Sequence, residues 1–189
     1  MEFSILLAGI GGQGVLFAHQ LLAECAVAQG LNVTGAETHG MSQRGGSVVS
    51  HLKIGDNSAP LIRQGTADLI LAFDAAEAYR NLSFIRAGGM VIVNNARKDF
   101  PSEQVSKQLT RIKAGMRVLD ADGIAGRLGR VSAANVALLG FASTCRDFPL
   151  AREALRETLT RVVRPQSLET NLQAFDEGVK ESMRRQEKA

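Results

Sequence analysis

Tryptophan is absent from this chain of 189 residues, tyrosine occurs once, and aromatic residues make up only 5%. Proteins that bind nucleic acid usually combine a basic stripe with aromatic side chains on which bases stack. Here the basic residues are scattered and the net charge is +3, although the isoelectric point is about 9.1. The composition therefore argues against a nucleic-acid partner.

Cysteine is scarce as well, because only Cys25 and Cys145 occur and no Cys-x-x-Cys pair is present. Each cysteine lies in an apolar helical pattern, which favours buried thiols in a reducing compartment over a disulfide or a metal site. An iron–sulfur cluster of the usual kind needs several thiolate ligands. The chain alone is therefore expected to hold no such cluster and no other metal.

Long apolar runs are also missing, and none approaches the roughly 20 residues that a membrane-spanning helix needs. The first nine residues, MEFSILLAG, lack the basic flank of a signal peptide. These features predict a cytoplasmic protein without membrane contact. Hydrophobic and charged contents of 45% and 22% are those of a globular protein, and the length predicts a single domain over residues 1–189.

Strand and helix patterns alternate along most of the chain. A short apolar run at 3–8 ends in glycines and predicts a buried parallel strand. The helix predicted over 14–29 is apolar most of the way round, so it must be covered on more than one side. Residues 47–54 instead alternate, with every second residue from Val48 to Ile54 on one side. That alternation predicts an antiparallel or edge strand.

The remaining patterns extend this organisation. Further strands are predicted at 31–36, 69–73, 90–94 and 117–119, and helices at 75–86, 102–113, 135–145, 150–163 and 168–183. We therefore expect an α/β fold, specifically a three-layer α/β/α domain with a mostly parallel sheet. Its first βα unit should be Rossmann-like, and its C-terminal third should be helical.

The segment AGIGGQG at Ala8–Gly14 predicts a glycine-rich turn between the first strand and the first helix. Gly9, Gly11 and Gly14 fit the pattern GxGxxG, and Glu37 follows about 23 residues later, which is the outline of a dinucleotide site. The alternative is that the glycines simply permit a tight turn. Two features weaken the nucleotide interpretation: Gln13 places an amide inside the turn, and the residues after Glu37 lack the expected crossover helix.

A second polar segment, THGMSQRGGSVVS, covers Thr38–Ser50. A methionine and a guanidinium framed by glycines suit docking, since methionine fills apolar gaps and arginine pairs with carboxylates or phosphates. An ordinary solvated loop is the alternative. His39 could act as an acid or base near neutral pH, but no nucleophile with an orienting carboxylate accompanies it. No catalytic residue is therefore assigned to this chain.

Taken together, AGIGGQG and the later ETHGMSQRGGSV resemble the gamma-type domain of the 2-oxoacid:ferredoxin oxidoreductases, the pyruvate/ketoisovalerate oxidoreductase gamma family. Asn135 leading into VALLGF and the segment ETNLQAFDEG at 169–178 agree with this resemblance, which thus runs from Ser4 to Gly178. The separate small subunit of the indolepyruvate type is most similar. Relatives acting on pyruvate, 2-oxoglutarate, branched-chain acids or phenylglyoxylate carry similar domains.

The resemblance implies an enzyme that decarboxylates a 2-oxoacid on thiamine diphosphate, passes electrons through [4Fe–4S] clusters to ferredoxin, and transfers the acyl group to coenzyme A. A larger alpha subunit would carry the thiamine and cluster sites. This chain would bind none of these cofactors alone and would be inactive when isolated. The residues implied to face the active site or coenzyme A are Gly9, Gly11, Gly12, Gln13, Gly14, Glu37, Ser42, Gln43 and Arg44.

Two other interpretations stay open at this point. One is an autonomous NAD(P)-dependent enzyme that uses the Rossmann-like turn, and the other is a module that binds coenzyme A or an adenine nucleotide without chemistry. Binding of a nucleotide by the isolated chain would favour either of them. The first helix and the loop at Met41–Arg44 are candidate docking surfaces, and an isolated subunit could also form a homodimer through exposed apolar surface.

Overall fold

The computed structural model describes residues 2–39, 45–56 and 59–187. Within these ranges a six-stranded sheet has the order β2-β3-β1-β4-β5-β6. Its strands are β1 (Phe3–Ile10), β2 (Val33–His39), β3 (Ser47–Ile54), β4 (Ala67–Ala72), β5 (Ile85–Asn94) and β6 (Gly115–Leu119). Strands β1, β4, β5 and β6 are parallel, whereas β3 is antiparallel to both β1 and β2. The α/β class and the mostly parallel sheet are thus confirmed.

Helices cover both faces of this sheet. They are α1 (Val15–Ala28), α2 (Ala75–Arg80), α3 (Glu103–Arg111), α4 (Ala121–Arg127), α5 (Ala134–Ala142), α6 (Arg152–Val162) and α7 (Pro165–Gln186). One hydrophobic core joins the sheet to α1 and to α4 through α7, and a smaller core on the other face joins it to α2 and α3. This arrangement confirms the three layers and the helical C-terminal third.

Helix α1 is covered within the chain on more than one side, as its composition predicts. It lies against β3 and contacts both α5 and α6. Leu21, Leu22 and Cys25 are completely buried, whereas Leu16 and Val27 are the large apolar residues of α1 that remain exposed. The buried faces of α1 are therefore unavailable to a partner, and only its exposed stripe, which runs from Leu16 through Gln20 and Glu24 to Val27, could contribute to docking.

The crossing of α5 and α7 depends on two glycines. An added Cβ at Gly178 would lie 2.0 Å from the Ala137 carbonyl oxygen, and one at Gly140 would lie 2.1 Å from the Phe175 carbonyl oxygen. Backbone-to-backbone contact of this kind leaves no space for any side chain. Both glycines belong to the two C-terminal segments on which the resemblance rests.

The predicted helix at 75–86 is too long. Helix α2 ends at Arg80, and the side-chain amide of the next residue, Asn81, donates a hydrogen bond to the Glu77 carbonyl oxygen at 2.8 Å. Ile85 is buried and already pairs with β4, so residues 85–89 extend β5 instead. Likewise, the helix predicted at 102–113 stops at Arg111, and Gly115 already begins β6. The short helix α4, which Asp120 caps, was not predicted.

Candidate functional site

The glycine-rich turn lies at the carboxyl end of β1, beside the point where the helices change face. Helix α1 follows β1 on one face of the sheet, whereas α2 follows the neighbouring strand β4 on the other. In open α/β sheets, ligands bind in the crevice that this divergence opens beyond the carboxyl ends of the strands. The topology therefore places the predicted Gly9–Gly14 turn where a ligand site is expected.

Gln13 fills the inside of the turn. Its side-chain oxygen accepts a hydrogen bond from the Ile10 N–H at 2.8 Å, and the backbone N–H of Gln13 donates one to the Ile10 carbonyl oxygen at 3.0 Å. An added Cβ at Gly9 would lie 2.8 Å from Val15 Cγ2 and 2.9 Å from Gln13 Oε1. Gly9 is thus required for close packing of the turn itself, since the Gln13 amide and the Val15 side chain occupy the space beside it.

Gly14 shapes the start of α1. It adopts a left-handed conformation with φ 78°, and an added Cβ would lie 2.1 Å from Asn135 Nδ2. That same amide donates a hydrogen bond to the Gly14 carbonyl oxygen at 3.4 Å. Gly12 also has a positive φ, 102°, but open space surrounds its Cα. The three glycines 9, 12 and 14 therefore serve different purposes, and Gly12 is the one whose backbone a ligand could approach.

Beside the turn, a cleft of about 360 Å³ opens between the start of α1 and the C-terminal helices. Its wall combines the turn with polar and apolar groups from the later chain: Gly12, Gln13, Gly14, Phe17, Arg130, Ser132, Asn135, Val162, Val163, Arg164, Ser167 and Asn171. Two guanidinium groups, two hydroxyls and a helix N-terminus suit a phosphate-bearing ligand.

Arg130 and Arg164 are site residues that the sequence analysis missed. They follow α4 and precede α7, more than a hundred residues after Gly14, so no local spacing links them to the turn. The signal that could have found them is indirect: Asn135 and Asn171, in the two segments that carry the resemblance, line the same cleft.

A second cleft, of about 330 Å³, lies between α4 and α7, away from the turn. Three of the four cations that line it are already matched by carboxylates on α7, and Arg127 of α4 is the fourth. Lys180 pairs with Glu177 at 2.7 Å, and Arg184 and Arg185 both pair with Glu181 at 2.7 Å. These pairs leave less positive charge for an anionic ligand than Arg130 and Arg164 provide, so the cleft at the turn is the stronger candidate.

The end of the second predicted segment does meet the turn. The Gly11 N–H donates a hydrogen bond to the Gly46 carbonyl oxygen at 2.9 Å, and Ile10 pairs with Ser47 across β1 and β3. Ser42, Gln43 and Arg44 lie outside the described residues.

Glu37 lies apart from this meeting point. It is exposed on β2 opposite Ser50, and β3 separates β2 from β1. Two strand spacings amount to about 9–10 Å, whereas a dinucleotide fold places its second strand directly beside the first. Glu37 therefore does not occupy the position from which a carboxylate binds a ribose, which weakens the NAD(P) interpretation further.

His19, on α1, is partly buried. Its Nδ1 lies 2.6 Å from the hydroxyl oxygen of the buried Ser50, and an added Cβ at Gly35 would lie 2.6 Å from its Cε1. Burial lowers the pKa of His19, and the nearby Glu37 carboxylate opposes that shift only in part. A neutral imidazole bonded to a serine hydroxyl here joins α1 to β3.

Metal ligands are not assembled anywhere in the part of the chain that the structure describes. No group of three or more His, Cys, Asp or Glu side chains there could hold a metal ion. Cys25 is buried in α1 and Cys145 lies beyond α5, and both are free thiols. Over the same residues, no helix is both long and apolar enough to cross a membrane.

Comparison with known proteins extends this description. The family model described as pyruvate ferredoxin/flavodoxin oxidoreductase matches residues 4–181. The indolepyruvate oxidoreductase subunit IorB of Pyrococcus horikoshii is 35% identical, with 95% of each chain covered. Subunit IorB of Archaeoglobus fulgidus is 34% identical over 97% of this chain and 96% of its own.

A solved structure has the same fold. It is the 2-oxoglutarate:ferredoxin oxidoreductase of Magnetococcus marinus, with 2-oxoglutarate, coenzyme A and succinyl-CoA bound. This chain aligns with it at a TM-score of 0.79. The alignment covers 96% of this chain and 31% of that much longer one, at 22% identity. The resemblance inferred from the sequence is confirmed: the chain belongs to the pyruvate ferredoxin/flavodoxin oxidoreductase family.

Proposed function

We propose that this chain is the small subunit of a 2-oxoacid:ferredoxin oxidoreductase of the indolepyruvate or arylpyruvate type. The observation that carries the proposal is the similarity to IorB subunits, at 35% identity over 95% of both chains. A match over the whole length of a separate subunit favours the same division of labour, in which this chain is one component of an oxidoreductase and is inactive when isolated.

Thiamine diphosphate and the [4Fe–4S] clusters would belong to a larger alpha subunit, from which ferredoxin takes the electrons. The thiols of this chain do not fit a cluster, because Cys25 is buried under α6 and Cys145 lies after α5, beside Arg117. Burial also raises the pKa of both thiols, which opposes the thiolate form that iron requires. A reducing, cytoplasmic setting suits both the clusters of the partner and these free cysteines.

The contribution of this chain would be to form part of the coenzyme A site. The cleft beside Gly12 offers the guanidinium groups of Arg130 and Arg164 and the hydroxyls of Ser132 and Ser167. Such groups hold phosphates by charge-assisted hydrogen bonds. In this proposal Gly9–Gly14 shapes one wall of the site, and Ser42, Gln43 and Arg44 would face it from the connection after β2, whereas Glu37 lies on β2, apart from the turn. The acyl transfer itself would need no acid or base from this chain.

An autonomous nucleotide-binding protein is the competing candidate. The Gln13 amide inside the turn and the insertion of β3 between β1 and β2 both depart from the dinucleotide fold. Calorimetry of the isolated chain with NAD, NADP and coenzyme A separates the two candidates. The subunit proposal expects no NAD(P) binding and at most weak coenzyme A binding without the larger subunit.

The direct test is anaerobic purification of the tagged chain from its native host, followed by mass spectrometry and an absorbance spectrum. We expect a brown complex that contains a larger chain and oxidises arylpyruvates with ferredoxin and coenzyme A. A colourless protein that copurifies with no larger subunit would contradict the proposal. Screening of indolepyruvate, pyruvate, 2-oxoglutarate and branched-chain 2-oxoacids then identifies the substrate.

The coenzyme A site is tested by Arg164→Ala and Arg44→Ala in the purified complex. Arg97→Ala is the matched control, because Arg97 is an exposed arginine that pairs with Asp99 and does not line the cleft. Loss of one charge-assisted bond, roughly 1.5–3 kcal/mol, should raise the KM for coenzyme A about ten- to a hundredfold. If KM and assembly match those of Arg97→Ala, that arginine has no role at the site.

A further inference from the structure

A buried carboxylate lies at the switch point of the sheet and has no role in the site as described so far. The Glu77 side chain, on α2, is only 1% exposed. Burying a carboxylate is costly unless it is paired and hydrogen-bonded. Each Glu77 oxygen has one partner: Oε1 pairs with Arg80 one turn later, and Oε2 accepts a hydrogen bond from the Ser47 hydroxyl at 2.7 Å.

The Ser47 bond connects elements that are not neighbours in the sheet. Ser47 begins β3, whereas α2 follows β4, and β1 lies between these two strands. The Glu77 side chain therefore reaches across the carboxyl end of β1, where Ile10 pairs with Ser47. One residue away on each strand, the Gly11 N–H donates to the Gly46 carbonyl at 2.9 Å.

These two bonds hold residues 45–47 from two sides. The Gly11–Gly46 bond fixes the segment to the glycine-rich turn, and the Ser47–Glu77 bond fixes it to α2, on the opposite face of the sheet. The carboxylate is itself oriented, because Asp74 caps α2 through the Ala76 and Glu77 N–H groups. Residues 45–47 therefore have a fixed position relative to the turn.

We propose that Glu77 is a positioning residue for the coenzyme A-facing side of the subunit, acting through Ser47 to set where the loop that connects β2 to β3 rejoins the sheet. The inference rests on the proposed function, because it takes the turn and this loop to face the acyl-transfer site. Glu77 touches no substrate in this arrangement. The hydrogen bond from Ser47 satisfies Oε2 and also connects α2 to the start of β3 across β1, which the ion pair with Arg80 within α2 does not do.

The first arm of the test is amide hydrogen exchange in the full chain. Ser47→Ala removes the hydroxyl and should accelerate exchange of the Gly11 N–H about ten- to a hundredfold, as expected for loss of a bond to a charged acceptor. Ser47→Thr keeps the hydroxyl and should restore slow exchange. Ser106→Ala is the control, since the Ser106 hydroxyl bonds only to the Ser102 carbonyl in α3.

Glu77 itself is tested by a double-mutant cycle. If Glu77 acts through Ser47, then Glu77→Ala combined with Ser47→Ala should accelerate Gly11 exchange little more than either single change. Additive effects would show that the two residues act independently and would overturn the inference. Melting temperatures of all variants separate local release of residues 45–47 from general unfolding.

The second arm uses the assembled complex. Ser47→Ala should raise the KM for coenzyme A several-fold and leave the KM for the 2-oxoacid unchanged, and Ser47→Thr should reverse the effect. Unchanged Gly11 exchange, or faster exchange with unchanged coenzyme A kinetics, would overturn the inference. If the wild-type complex consumes no 2-oxoacid, the proposed function fails, and the exchange arm alone decides whether Glu77 positions residues 45–47.

Discussion

Gly178 and Gly126 are both helical glycines, yet replacing each with alanine should change the free energy of unfolding in opposite directions. Gly178 lies where α7 crosses α5, and its added Cβ would meet the Ala137 carbonyl oxygen at 2.0 Å and the Phe141 nitrogen at 3.0 Å. Gly126 lies on the exposed side of α4, and an added Cβ there would meet no atom within 4 Å.

The magnitude follows from the atoms involved. At Gly178 the obstacles are backbone atoms, which cannot rotate away, so the two helices must separate and the cost should lie near the top of the overpacking range, roughly 3 kcal/mol. Better helix propensity offsets up to about 1 kcal/mol of this. The expected net loss is about 2 kcal/mol, or about 4–8 °C in melting temperature for a domain of this size. Gly126→Ala gains the propensity alone, up to about 1 kcal/mol.

Chemical and thermal unfolding of both variants, followed by far-UV circular dichroism, measures the difference. Because the substitution is the same at both positions, composition and unfolded-state effects largely cancel. If Gly178→Ala were as stable as Gly126→Ala, the close crossing of α5 and α7 described above would be wrong. Gly140→Ala, which meets the Phe175 carbonyl at 2.1 Å, provides an independent repeat of the measurement.

Two further predictions concern the turn and the histidines. Gln13→Leu leaves the Ile10 N–H without its acceptor, so it should lower the free energy of unfolding by about 1–3 kcal/mol. The control Gln20→Leu, on the exposed side of α1, should change the free energy of unfolding by less than about 0.5 kcal/mol. Equal effects of the two changes in urea titrations would contradict the role of Gln13. Burial lowers the pKa of His19 and of His51 below the ordinary value of 6.5. The unfolded chain therefore binds more protons, and stability that is complete above about pH 6.5 should be lost as the pH falls towards the folded-state pKa values. Replacing both histidines with glutamine should flatten the pH dependence of unfolding just below pH 6.5; an unchanged slope there would refute this explanation.

Local spacing was enough to predict much of the fold. The alternation over 47–54 predicts β3 at its observed bounds, with Val48, Ser50, Leu52 and Ile54 buried. It left open whether β3 is an edge strand or an interior antiparallel strand, because alternation reports the face of a side chain and not the order of strands. The structure places β3 inside the sheet and β2 at its edge.

The candidate site was predictable only in part, for a related reason. Gln13 was expected to place an amide inside the turn, and its side-chain oxygen accepts a hydrogen bond from the Ile10 N–H, three residues away. Arg130 and Arg164 reach the same cleft only because α5 and α6 pack against α1 and α7 packs against α5. Contacts that depend on how helices cross leave no fixed spacing in the sequence, so a reading based on periodicity does not find them.

The antiparallel pairing of β1 with β3 has a consequence for how such domains can diverge. Side chains alternate between faces along a strand, so a one-residue insertion within 47–54 would turn the residues on one side of it, such as Leu52 and Ile54, away from the core. If the N-terminal part of the strand shifted instead, Ser47 would be displaced from Ile10 and from Glu77. Length changes should therefore be tolerated in the connection between β2 and β3 and not in either strand.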